Sequence, residues 1–136
     1  MQPMPAAPIH LACLCAAWCR LCDDYAAVFE QVAGELAAAG VPLRCHWIDI
    51  EDESELVGDF DVETFPTIVI VDPQAVRFAG PLTPQADTLR RLLRATLQEA
   101  APDAHWPPMA PEIEAFAQRL RALGPPLAAD PASSDS

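Results

Sequence analysis

The feature that most restricts the fold is Thr67-Ile-Val-Ile-Val-Asp72, a continuous, mostly β-branched run that reads as a strand. Such a strand needs neighbours, and the chain offers three. Residues 9–15 form a short apolar run consistent with a buried strand, 41–50 read as another, and 75–79 as a fourth after the Pro73-Gln74 turn, terminated by Gly80 and Pro81. Between the first two lies a helical pattern over 20–39, with Val28, Val32 and Leu36 on one face and Gly40 as its stop. A brief helix is expected around 53–58. A longer one runs from a Thr83 cap to about residue 98, with Leu89, Leu92, Leu93 and Leu97 on its apolar face. The order β-α-β-(α)-β-β-α makes the first two strands parallel across a crossover and the last two an antiparallel hairpin. The expectation is an α/β fold: a central mixed four-stranded β-sheet flanked by helices on both faces.

Composition sets the limits of that block. Residues 1–8 hold three prolines and read as a flexible N-terminus, so the domain is assigned to 9–100. Prolines then punctuate a linker, and within 101–124 one helical island, 111–123, carries Ile113, Phe116, Ala117, Leu120 and Leu123 at helical spacing. Pro111 suits its first turn and Gly124 its end. Residues 125–136, rich in Pro, Ala, Ser and Asp, are expected to be disordered.

The 136 residues include 20 acids and 8 bases, all of them Arg, for a net charge of −12. A chain of that sign repels polyanions, so no nucleic-acid partner is expected. No apolar run approaches the roughly 20 residues of a membrane helix, and the N-terminus lacks the charged start of an export signal. A cytoplasmic protein with no membrane partner is the resulting expectation. Eight of the acids fall within 49–63 with no base among them. A solvated loop and short helix account for that run, and the functional alternative is an acidic collar that steers basic partners.

Five cysteines stand at 13, 15, 19, 22 and 45, an odd number crowded into the first third. That is not the layout of a secreted disulfide framework; it points to redox work, metal binding or plain burial. The informative stretch is Ala16-Ala17-Trp18-Cys19-Arg20-Leu21-Cys22, between a strand and a helix. There Cys19 sits at the helix N-terminus, where backbone N–H groups and the dipole favour an anion such as a thiolate. Arg20 adds a positive charge. Cys22, three positions on, returns to the same side and can resolve a mixed disulfide formed at Cys19. Zinc also uses C-x-x-C, and Cys13, Cys15, Cys45, His46 or His10 are the further ligands it would require, yet no second C-x-x-C or H-x-x-x-H is present.

Trp18-Cys19-Arg20-Leu21-Cys22, followed some forty residues on by Phe65-Pro66-Thr67, resembles the thioredoxin family over roughly 9–100. The resemblance implies a thioredoxin-like fold and a thiol–disulfide oxidoreductase: Cys19 and Cys22 as catalytic thiols, with no metal or organic cofactor. It also implies a cis Phe65–Pro66 bond beside the cysteines, with extended substrates pairing along the backbone there. Trp18 and Gly80 fall at family positions flanking the substrate groove; as plain structure they are a packed aromatic and a strand-ending turn. Arg20 and Leu21 replace the family's Gly-Pro, meet the partner directly and are expected to tune the redox potential. The implied partners are disulfide-containing proteins and, for a reductant, a recycling reductase.

The departures shape the alternative. The family's usual N-terminal β-α unit is lacking, since eight residues precede the first strand. Its buried aspartate is Cys13 here, the lysine paired with it is Trp47, and the proline that kinks its long helix is Ala27. Cys22 must therefore rely on water or another group, while Asp23 and Asp24 oppose a nearby thiolate. Cys13 and Cys15 share a strand face about 6.6–6.8 Å apart. Both read as small core residues, with Cys13 also able to lie near Cys22 as a third thiol. Cys45, His10 and His46 read as structural. A thioredoxin-fold interaction or chaperone-like module without redox turnover remains the second reading.

Overall fold

The structure, a computed structural model, describes residues 8–16, 19–100 and 104–123. Most of the expected N-terminal lead-in, Trp18, Gly124 and the 125–136 tail lie outside the described residues. The elements are β1 (Ile9–Cys15), α1 (Arg20–Ala38), β2 (Leu43–Asp49), α2 (Ser54–Val57), β3 (Thr67–Val71), β4 (Val76–Pro81), α3 (Ala86–Leu93) and α4 (Pro111–Ala122). They form a mixed four-stranded sheet in the order β2-β1-β3-β4. β1 pairs parallel with β2 and antiparallel with β3, and β3 pairs antiparallel with β4.

Alternation along the two central strands divides the core. Leu11, Cys13 and Cys15 of β1, with Ile68 and Ile70 of β3, meet Tyr25, Phe29, Val32 and Leu36 of α1 and Leu89 and Leu93 of α3. Ala12 and Leu14, with Val69 and Val71, meet Phe116, Ala117 and Leu120 of α4 on the other face. The continuous apolar run in β3 is thus explained: all five of its residues are buried, because helices cover both faces. The C-terminal helix is an integral layer. Arg119 donates from Nε to the Leu56 carbonyl at 2.6 Å and from Nη2 to the Val57 carbonyl at 3.0 Å, gripping the end of α2. Gly58 follows at φ +61°, and any side chain there would collide with the Arg119 guanidinium.

Three local expectations are corrected. Gly80 does not end the strand: β4 runs on to Pro81, with Gly80 opposite Ile68. Thr83 does not cap the following helix, which starts at Ala86 after Gln85; its hydroxyl meets that of Thr88 at 3.0 Å. That helix is also not regular to 98, because α3 gives way to a π-helical segment, Arg94–Gln98. Arg77 Nη1, from β4, donates to the Thr96 carbonyl of that segment at 2.6 Å. Gly40, at φ +98°, does stop α1, as a residue past a helix end in the left-handed region should.

Candidate functional site

The site forms where β1 runs out toward the start of α1. Cys19 is the N-cap of α1, in extended backbone conformation, and its carbonyl accepts the Cys22 N–H at 3.1 Å. That tight first turn stacks Cys22 one turn below Cys19. The two differ sharply in access: Cys19 is a half-buried free thiol, whereas Cys22 is buried at 2% exposure. Arg20 and Leu21, between them, point outward, and Leu21 at 41% exposure is one of three large apolar residues left open to solvent among the described residues.

The structure joins Cys22 to Cys15 in a disulfide, with a Cα–Cα separation of 6.0 Å. Cys15, the last residue of β1 and read from sequence as a core filler, is therefore the residue that sequence reasoning missed. The signal in the sequence was partial: alternation along β1 puts its final residue on the same face as Cys13. Cys13, the residue considered as a possible third thiol, stands one step back, its Sγ 3.8 Å from Cys15 Sγ. Burial pushes the Cys13 thiol up to about 12, so it stays protonated. Cys13 pairs across the sheet with Trp47, whose ring meets the edge of Phe29 at 5.8 Å between centroids. An apolar wall thus stands where the family's acid–base pair is expected.

Polar groups around these sulfurs are few. The one buried carboxylate among the described residues, Asp72, lies at the β3–β4 turn, 2.7 Å from Arg77. Tyr25 shares the apolar core with these sulfurs; its hydroxyl is buried with no hydrogen-bond partner, and burial, reinforced by Cys13, holds its proton on. Asp23 and Asp24 are exposed.

The Phe65–Pro66 bond is cis, as the resemblance implies. Pro66 is buried and its carbonyl accepts the Leu82 N–H at 3.1 Å, while Phe65 and Cys19 both pack against the same apolar cluster. Thr67 is buried, and together with Gly80 lines a cavity of about 290 Å³ that also includes Phe60 and Glu63. Gly80 is not required there by space, since an added Cβ would meet the Phe78 ring at an ordinary 3.6 Å. The acidic segment folds as a loop and short helix, with Asp49 accepting the Glu51 and Asp52 N–H groups at 2.8 and 3.1 Å. Cys45 is exposed on β2. His10 and His46 stack on each other, Nδ1 to Nε2 at 2.9 Å. Among the described residues no three His, Cys, Asp or Glu side chains gather so as to hold a metal ion, and no helix is long and apolar enough to cross a membrane.

Comparison with known proteins adds a family. The family model described as Thioredoxin matches residues 5–94. Protein disulfide-isomerase A4 of Bos taurus is 36% identical over 69 residues, which is 50% of this chain and 11% of that protein. Sulfhydryl oxidase 1 of Pongo abelii is 28% identical over 103 residues, 73% of this chain and 14% of that protein. The chain thus spans a small part of the length of these relatives. Among solved structures, the first thioredoxin domain of mouse protein disulfide-isomerase A4 matches with a TM-score of 0.57 at 26% identity, covering 75% of this chain and 70% of that one. Fasciola hepatica thioredoxin matches with a TM-score of 0.57 at 17% identity, covering 68% and 84%, a likeness of fold alone.

Proposed function

This chain belongs to the thioredoxin family, and we propose that it works as a thiol–disulfide oxidoreductase with Cys19 as nucleophile and Cys22 as resolving thiol. The observation that carries this reading is the pairing of a half-buried free thiol at the N-cap of the 19-residue α1 with a buried cysteine sulfur one turn below. Cys19 Sγ, as thiolate, attacks a substrate disulfide; one substrate sulfur bonds to Cys19 and the other leaves as thiolate. Cys22 Sγ then attacks Cys19 Sγ, the second substrate sulfur leaves, and the enzyme holds the disulfide. Two electrons pass from the cysteine pair to the substrate, and no metal or organic cofactor enters either step.

In this reading the substrates are disulfide-containing proteins whose extended segments lie against Leu21, Phe65 and Pro66, with Arg20, Thr67 and Gly80 bordering the groove. The acidic 49–63 segment selects basic segments among them. A reductase returns the electrons, and the work is done in the cytoplasm. A second reading follows from the Cys15–Cys22 bond: while it persists, Cys19 has no resolving partner, and the domain holds partners without turnover. Trapping separates the two. Cys22→Ser is expected to accumulate mixed disulfides through Cys19 that wild type releases. Equal accumulation by wild type and variant favours the holding module, and none with either removes Cys19 as nucleophile.

A further inference from the structure

We infer that Cys15 is a third redox thiol, which draws the disulfide from the Cys19–Cys22 pair into the core and returns Cys19 to the surface as a free thiol. The inference rests on the reading of Cys19 and Cys22 as the redox pair and deepens it. Its basis is geometric: Cys15 and Cys22 are joined, each at 2% exposure, while Cys19 is unbonded and more accessible. A bond so buried is closed to a protein partner. Cys19, stacked one turn above Cys22, is the thiol placed to reach it from outside.

The exchange balances without any outside oxidant. Cys15 Sγ, as thiolate, attacks Cys22 Sγ in the Cys19–Cys22 disulfide; the Cys15–Cys22 bond forms, the Cys19–Cys22 bond breaks, and Cys19 leaves as thiolate. One proton is lost at Cys15 and one is gained at Cys19, with no net transfer of electrons. Cys13 keeps its proton and sits 3.8 Å away as an S–H donor, and the unpartnered Tyr25 hydroxyl lies in the same cluster. Neither Cys13 nor Tyr25 exchanges bonds. The oxidised protein then presents a thiol at its surface where a two-cysteine enzyme presents a disulfide.

The test is to oxidise the full chain with oxidised glutathione, quench by alkylation at timed intervals and map every cysteine by mass spectrometry. Wild type at equilibrium should carry a Cys15–Cys22 disulfide with Cys19 alkylated, and Cys15→Ala should carry Cys19–Cys22 instead. Cys19→Ser should form and lose the Cys15–Cys22 bond at least about tenfold more slowly, because access to the buried pair is gone. A wild-type protein holding only Cys19–Cys22 overturns the inference and leaves the oxidoreductase reading intact. Formation of Cys15–Cys22 in Cys19→Ser at the wild-type rate also overturns it, by making the bond independent of Cys19. If neither disulfide forms, both readings fall. The wild-type map and the Cys19→Ser rates decide the matter even if Cys15→Ala does not fold.

Discussion

Replacing Phe116 with Ala tests whether α4 is part of the domain in solution. Phe116 is fully buried, its ring 5.6 Å from that of Phe60, against a sheet face made of Ala12, Leu14, Val69 and Val71. Truncation removes the ring from water-free contact and leaves a cavity walled by two strands that cannot collapse into it. Buried Phe→Ala changes of this kind cost about 3–5 kcal/mol. Against a total of roughly 5–15 kcal/mol for a domain of this size, that is a large fraction of the stability. The melting temperature should fall by more than about 10 °C. Urea denaturation followed by circular dichroism is the assay, and the midpoint should drop with the slope unchanged. Leu123→Ala is the internal control: that residue is 51% exposed, and its loss should stay within about 0.5 kcal/mol. A Phe116→Ala cost below about 1 kcal/mol would mean that α4 does not cover the sheet in solution. The consequence reaches the site, since Phe60 lies five residues before the Phe65–Pro66 bond and α4 holds it in place.

Two further outcomes concern charge. Asp72 accepts the N–H groups of Gln74 and Ala75 at 2.7 and 2.6 Å and pairs with Arg77; burial alone would raise its carboxyl, but these partners hold it below its usual 3.8. Asp72→Ala should cost about 1.5–3 kcal/mol at neutral pH. Measured by urea titration, its difference from wild type should be full above pH 3.8 and shrink as pH falls toward the lower folded value. A gap that stays constant into acid would contradict this. The His10–His46 pair behaves in the opposite chemical sense with the same pH direction. Burial, then the neighbouring His10 and Arg44, lowers His46 from 6.5 to about 4, so the unfolded chain binds the extra proton between those values. Stability should therefore decline as pH drops from 6.5 toward 4, and His46→Gln should remove most of that slope in thermal melts across the range.

Much of this architecture is written locally. The β-branched run of β3, the Gly40 stop and the strand–C-x-x-C–helix succession each depend on neighbours within a few residues, and each appears where the pattern puts it. The amphipathic stripe of α4 is equally plain, but which surface it covers depends on the sheet face opposite α1, which no local pattern records. The π-helical turn at Arg94–Gln98 carries a tertiary contact, Arg77 of β4 donating to the Thr96 carbonyl, that no local pattern records. Gly80 reads as a terminator only until β3 supplies Ile68 as its pairing partner. At the site, the spacing of Cys19 and Cys22 is legible because both lie in one helical turn. The Cys15–Cys22 bond is a tertiary contact between the end of a strand and the start of a helix, and alternation along β1 shows which face Cys15 takes without showing what meets it.

Cys19 is proposed as the sulfur that exchanges with substrate. The most direct measurement is the rate at which the full chain catalyses reduction of insulin by dithiothreitol, with wild type compared to Cys19→Ser. A wild-type rate well above background is expected, with a fall of at least about a hundredfold in the variant. Equal rates for the two proteins, or a wild-type rate no greater than dithiothreitol alone, would contradict it.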